Sequence, residues 1–82
     1  MTGKQHERAI RETKVLRREA DRLVNIAVPY SEADAPELGL MAGTIRAARR
    51  EAYEYALIHL IDGVKPQAIA RSLAKSFPVP EP

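Results

Sequence analysis

Side chains that could carry covalent or acid–base chemistry are few, and their spacing does not suit catalysis. Nucleophilic catalysis needs an activated Ser, Cys or Thr beside a base. The serines fall in a turn and a short helical segment, without a nucleophile-elbow motif: Ser31, Ser72 and Ser76. The chain has two His and no Cys. His59 lies beside Tyr55 on an apolar stripe, which is typical of a hydrogen-bonded core or interface histidine. The sequence therefore predicts a protein that is not an enzyme.

Metal and cofactor chemistry is not predicted either. A zinc site usually needs three or four nitrogen or sulfur ligands. The carboxylates are scattered, and most have a basic residue one helical turn away, as in the pair Arg50–Glu54. No glycine-rich loop that would cradle a phosphate is present. We therefore expect no metal, no cofactor and no small-molecule substrate.

Basic residues are the remaining candidates for a function. The net charge of +2 is too weak to imply a nucleic-acid partner, but the charges are unevenly distributed. Residues 1–30 carry seven Lys/Arg against four Asp/Glu, residues 31–62 three against six, and residues 63–82 three against one. The first helix carries a basic stripe that is typical of a solvated helix face but could also contact phosphate: Lys4, Arg8, Arg11, Arg18 and Arg22. Arg46, Arg49 and Arg50 form a second basic cluster that could do so.

Three helices are predicted to position these residues. The first runs from about Lys4 to Val28, where Pro29 disfavours helical geometry. Its small and apolar residues recur every three or four positions. They are Ala9, Thr13, Leu16, Ala20, Leu23 and Ala27. Asp34 and Glu37 resemble a capping box at the start of the second helix.

The second helix is predicted from about Ala35 to Asp62, with Gly63 ending it. Its apolar stripe is Leu38, Met41, Ile45, Ala48, Ala52, Tyr55 and His59. A row of small residues would allow another helix to approach closely: Gly39, Gly43 and Ala47. Both long helices would reach roughly 40 Å. Equal lengths and a short joint predict an antiparallel hairpin.

The third helix is predicted from Pro66 to about Phe77, followed by an extended Pro-rich tail over 78–82. The expected fold is therefore all-α, with one helical domain over residues 1–77. A chain this short has a marginal core, and the end of the second helix is apolar on several sides. We therefore expect a homo-oligomer, most simply a homodimeric helical bundle. Its predicted interface comprises Leu38, Met41, Ile45, Ala52, Tyr55 and His59.

The segment Leu60–Ser76 contains a more specific pattern. A helix ends at a glycine, an apolar residue follows, and the next helix carries Ile-Ala-x-x-Leu, a small residue and a serine. The matching residues are Gly63, Val64, Ile69, Ala70, Leu73, Ala74 and Ser76. This pattern resembles the opening of a resolvase- or sigma-type helix-turn-helix DNA-binding domain. The sequence departs from it after Ser76, where prolines take the place of a recognition helix. The resemblance thus implies phosphate contact by Lys65, Arg71 and Lys75.

Two functions follow from these features. The first is a small DNA-associated protein in transcription regulation, acting as a homo-oligomer. The alternative is a helical protein-interaction module, an adaptor or inhibitor that docks on a larger protein partner. No signal peptide or membrane-spanning run is recognisable, so a cytoplasmic protein without membrane association is expected.

Overall fold

The chain folds into helices joined by short turns. A computed structural model describes residues 3–77, with side chains from residue 12 onward. The helices are α1 (Gly3–Ala27), α2 (Ala35–Leu38), α3 (Ala42–Ile61) and α4 (Pro66–Ser76), and a 3₁₀ turn (Glu32–Asp34) precedes α2. No strand occurs within residues 3–77, which confirms the all-α prediction. The predicted tail over 78–82 lies outside the described residues.

The first helix ends where the sequence predicts. Its last turn closes with the bond from the Val28 amide to the Val24 carbonyl, at 2.7 Å, directly before Pro29. Proline has no amide hydrogen and cannot continue the hydrogen-bond ladder. The stop of α1 is therefore a local property of the chain.

The prediction of one continuous helix from Ala35 to Asp62 is wrong. Gly39 adopts the left-handed conformation, with φ of 67°, and ends α2 after one turn. The Leu40 amide donates to the Ala35 carbonyl at 3.0 Å, and the Gly39 amide to the Pro36 carbonyl at 3.3 Å. These two bonds form a Schellman motif, which satisfies carbonyls at the helix end. A new helix, α3, then begins at Ala42.

The capping box also lies one turn earlier than predicted. The carboxylate of Asp34 accepts a hydrogen bond from the Ser31 backbone amide at 2.8 Å. The Asp34 amide in turn donates to the Ser31 carbonyl at 3.0 Å. As the N-cap of α2, Asp34 makes no side-chain capping bond, so the predicted box with Glu37 does not form. The carboxylate is already engaged with the 3₁₀ turn.

The core lies where α1 meets both α3 and α4. Its buried residues come from α1, α3 and α4 and from the residue that follows α1: Ala20, Leu23, Val24, Ala27, Val28, Ala52, Ala56, Leu60, Ile69 and Leu73. The predicted stripe of α1 is buried at Ala20, Leu23 and Ala27, whereas Thr13 is exposed. Alanines at the contact allow the helix axes to approach closely.

The buried face of α3 differs from the predicted stripe. Ile45 and Ala52 are buried as part of it, but Met41 and Tyr55 are exposed. The positions buried instead are Ala56 and Leu60. Because α3 packs against both α1 and α4, its inward face is centred on these later residues.

The turn into α4 follows the sequence pattern closely. Gly63 has a φ of 84°, and the Val64 amide donates to the His59 carbonyl at 2.9 Å. Pro66 is the first residue of α4, where its missing amide costs no hydrogen bond. Ile69 and Leu73 are buried on the inner side of α4. The fold thereby fixes which side of α4 faces outward.

Candidate functional site

The outward side of α4 presents two basic residues. Arg71 and Lys75 are exposed and lie one helical turn apart, which places them on the same face. The buried residues Ile69 and Leu73 hold the opposite face against the core. Lys65 is exposed at the N-cap of the same helix. None of these three cations forms an ion pair with another described residue. Their charges are therefore available to an anionic partner.

Arg49 is placed very differently from the cations of α4. Its guanidinium donates to the carbonyl of Val28 at 2.6 Å and to that of Tyr30 at 3.1 Å. A third bond reaches the side-chain oxygen of Asn25, also at 2.6 Å. These carbonyls flank Pro29 at the end of α1, where a cation is also favoured by the helix dipole. Arg49 therefore joins α3 to the end of α1 and has little capacity left for a phosphate.

Arg46 forms a bidentate ion pair with Glu32. The Nε and Nη2 atoms of Arg46 donate to the two carboxylate oxygens at 2.7 and 3.0 Å. These hydrogen bonds lower the pKa of Glu32 below its ordinary value, and the same bonds raise the pKa of Arg46. The pair links α3 to the 3₁₀ turn. The Glu32 carboxylate also neutralises the positive charge of Arg46, which would otherwise attract a phosphate.

Arg50 is exposed, as Arg46 is, but it forms no ion pair with another described residue. The ion pair with Glu54 that the sequence predicts is not among the salt bridges formed by the described residues. The two side chains are exposed on α3, one turn apart, and each remains available to another molecule. Of the six phosphate-binding residues predicted outside the first helix, the structure thus brings Arg71 and Lys75 together, with Lys65 at the start of the same helix.

The residues predicted for the oligomer interface do not share one surface. Ile45 and Ala52 are buried within the chain, so a second copy cannot reach their side chains. Leu38 is half-buried on α2, apart from α3. Exposed residues of the set are Met41 and Tyr55, and His59 is half-buried. The predicted interface is therefore divided between the core and the outer side of α3.

His59 and Tyr55 form a stacked pair near the end of α3. Their ring centroids are 4.0 Å apart, with 27° between the ring planes. The Nδ1 atom of His59 lies 2.8 Å from the Tyr55 carbonyl, and it must be the donor because a carbonyl can only accept. The geometry is that of a packed surface histidine. Groups of three or more metal-binding side chains do not occur among the described residues.

Ile58 and Ile61 are not in the sequence-based list of interface residues. Both are large, apolar and exposed on α3. A shallow groove at the first half of the same helix is lined by small residues and two longer side chains: Met41, Gly43, Thr44, Ala47, Ala48 and Glu51. The apolar run at the end of the second helix was the available signal. Its buried and exposed sides could be separated only by the packing of α1 and α4.

Searches of family models, curated proteins and solved structures found no match to this chain. Within residues 3–77, the helices are too short or too polar to cross a membrane.

Proposed function

We propose that this chain is a small DNA-associated regulatory protein that acts as a homo-oligomer and contacts duplex phosphates through α4. The observation that carries the proposal is the outward pair Arg71 and Lys75, with Lys65 at the start of the same helix. The opposite face of α4 is anchored by Ile69 and Leu73 after the left-handed turn at Gly63. A helix-turn-helix opening needs this arrangement of turn, core and exposed face.

The proposed contact is electrostatic and does not involve a recognition helix. Pro78 follows α4 closely and disfavours a helix directly after it. Phosphate contacts position a protein on DNA without reading its sequence. Two or more copies would multiply the number of contacts, which is why the proposal includes a homo-oligomer. It also includes a cytoplasmic location.

An antiparallel arrangement of α1 and α3 belongs to the same proposal. It is supported by the bond between Asn25, near the end of α1, and Arg49, in the first half of α3. Such an arrangement leaves the outer sides of α3 and α4 free for two different partners.

The salt dependence of DNA binding tests the role of α4. Binding to a fluorescent duplex is titrated at several salt concentrations for the wild type, Arg71→Ala and the double variant Arg71→Ala/Lys75→Ala. Each phosphate contact contributes about 0.9 to the slope of log K against log salt. We therefore expect the slope to fall by about 0.9 for the single variant and about 1.8 for the double variant.

Arg22→Ala is the matched control, because it removes one positive charge from an exposed arginine on α1. Arg22 is paired with Glu19, which raises the pKa of Arg22 and lowers that of Glu19. The control should keep the slope of the wild type. An absence of binding at low salt, or equal losses for Arg22→Ala and Arg71→Ala, would contradict the proposal.

A helical protein-interaction module, an adaptor or inhibitor, is the second candidate. It is favoured because Arg46 and Arg49 are engaged within the chain, whereas Ile58 and Ile61 are exposed. Nuclease-treated affinity capture with the wild type and Ile58→Glu distinguishes the candidates. A protein captured by the wild type but not by Ile58→Glu would favour the interaction module. Recovery of nucleic acid without any protein, in the sample before nuclease treatment, would contradict it.

A further inference from the structure

The outer side of α3 has two halves that differ in the size of their side chains. The first half presents small residues, among them Gly43, Thr44 and Ala47, along the shallow groove. The second half presents the exposed side chains of Ile58 and Ile61. At about 100° per residue, Gly43, Ala47, Ile58 and Ile61 fall within about 60° of one another around the helix, and Thr44 borders them on the same side. One helix thus carries both a groove and the bulky residues that could fill it.

We propose that this side of α3 binds the same side of α3 in a second copy, with the two helices antiparallel. A two-fold axis between Ala52 and Tyr53 would place Ala47 opposite Ile58 of the second copy, and Thr44 opposite Ile61. In a two-fold interface each such contact occurs twice, so the bulky half of each copy fills the groove of the other. A parallel pair would instead place isoleucine against isoleucine and leave both grooves empty.

The charged residues in the middle of α3 also favour a second copy as the occupant. Arg50 and Glu54 are exposed, and in the described part of the chain they form no salt bridge. In the antiparallel pair, Arg50 of each copy lies near Glu54 of the other, on the same edge of the interface. The pairing therefore supplies each of these two charges with an opposite charge. Glu51, on the other edge, and Glu54 each lie three residues, or about 4.5 Å along the axis, from their own counterparts. This repulsion between like charges limits the strength of association.

The contact is small, and this determines how it must be measured. The 20 residues of α3 extend about 30 Å. A pair of such helices covers less than the about 800 Å² per partner of a standard interface. We therefore expect a dimer that forms at high protein concentration and dissociates on dilution. This inference deepens the homo-oligomer part of the proposed function and rests on it, but it does not depend on DNA binding.

Directed disulfide formation tests the orientation, because the chain has no cysteine of its own. The variants Ala47→Cys and Ile58→Cys are mixed in equal amounts under mild oxidation, and the products are separated by mass. In the antiparallel pair, residue 47 of one copy lies opposite residue 58 of the other, so the two copies of residue 47 are eleven residues apart along the axis. At 1.5 Å per residue this is about 16 Å, and the same holds for the two copies of residue 58. That distance exceeds the reach of a disulfide, which is about 7 Å between Cα atoms.

We expect the mixed disulfide between Cys at 47 and Cys at 58 to exceed either symmetric product at least fivefold. A mixture of Ile26→Cys and Ser72→Cys, exposed positions on α1 and α4, is the control for random collision. A statistical ratio of products, a dominant symmetric product, or a yield no greater than that of the control would overturn the inference.

Sedimentation equilibrium over a wide concentration range tests the contact itself. Ile58→Glu should raise the Kd of the wild-type dimer at least tenfold. The control is Ile26→Glu, since Ile26 on α1 is 52% exposed and Ile58 is 57% exposed. A wild type that stays monomeric, or an equal effect of both variants, would overturn the inference.

The DNA titration keeps the two proposals separate. Arg71→Ala should leave the dimer unchanged, because α4 is outside the proposed contact. If no dimer forms but the salt slope still depends on Arg71 and Lys75, only the inference about α3 is contradicted. If the dimer forms but the salt slope does not depend on these residues, only the DNA part of the proposed function is contradicted.

Discussion

Arg49 shows at the level of a single residue how a basic side chain can be structural. Its three hydrogen bonds reach both sides of Pro29 and the side chain of Asn25. The carbonyls there have few alternative partners because proline interrupts the helical ladder. Arg50, the next residue along the chain, is exposed and makes no such bonds. Adjacent arginines on one helix therefore have different physical roles.

Replacing Arg49 by Met should destabilise the protein by about 1–3 kcal/mol, because half-buried acceptors lose their donor. Arg50→Met is the matched control and should change the unfolding free energy by no more than about 0.5 kcal/mol. Urea denaturation followed by circular dichroism measures both. Equal stabilities for the two variants would show that the Arg49 bonds contribute little.

The ion pair of Glu32 with Arg46 should make stability depend on pH. The pKa of Glu32 is lowered in the folded chain by the hydrogen bonds from Arg46. The stabilisation is therefore present above the ordinary pKa of a glutamate and is lost as the pH falls through the lowered value. Compared with Glu32→Gln, the wild type should have a small advantage at neutral pH that vanishes in acid.

High salt should also reduce that advantage, since the pair is at the surface. Parallel urea titrations of the wild type and Glu32→Gln across the acid range measure it. An advantage that grows as the pH falls would contradict the assignment.

At the level of elements, two glycines end helices and a third lies inside one. Gly39 and Gly63 have positive φ values and close α2 and α3, whereas Gly43 is helical. A Cβ on Gly43 would meet no atom within 4 Å. The same holds for Gly39 and Gly63. The three glycines therefore differ in backbone conformation and not in the space available for a side chain.

Substitution by alanine should therefore have opposite effects at Gly63 and Gly43. Gly63→Ala should cost about 1–2 kcal/mol, because a side chain disfavours the left-handed conformation. Gly43→Ala should stabilise α3 by up to about 1 kcal/mol. Thermal unfolding of dilute samples measures both changes. A stabilising effect at Gly63 would mean that the turn into α4 can adopt another conformation.

For the whole molecule, one shared core connects three helices. Leu73 of α4 is 2% exposed, and it belongs to the same buried cluster as Leu23 of α1 and Leu60 of α3. The outward side of α4 keeps its orientation only while that cluster is intact. The candidate phosphate-binding surface therefore depends on the stability of the whole fold.

Leu73→Ala should destabilise the protein by about 2–5 kcal/mol through the lost burial and the cavity left behind. Leu40→Ala deletes the same atoms from a residue that is 38% exposed, and should cost about 1 kcal/mol or less. Chemical denaturation monitored by far-ultraviolet circular dichroism compares them. If α4 unfolded separately at low denaturant in Leu73→Ala, the idea of one cooperative core would fail.

Some residues of the proposed sites could be assigned from the sequence, and others only from the structure. Arg71 and Lys75 could be assigned to one outward face from sequence, because Ile69 and Leu73 mark the inner face of a short amphipathic helix. Arg46 and Arg49 could not be assigned, since their partners Glu32 and Val28 are distant in sequence. The exposure of Ile58 likewise depends on the packing of other helices.

Local chain chemistry alone determined the all-helical class, the ends of α1 and α3 and the start of α4, because Pro29, Gly63 and Pro66 act on their own neighbours. Gly39 carried a similar local signal, but its apolar neighbours on both sides favoured a continuous helix. Only the tertiary structure decided which face of α3 is buried. Residues 45–60 contain two overlapping apolar stripes, one through Tyr55 and the other through Ala56. Both satisfy helical periodicity, and the simultaneous packing of α1 and α4 selects the second.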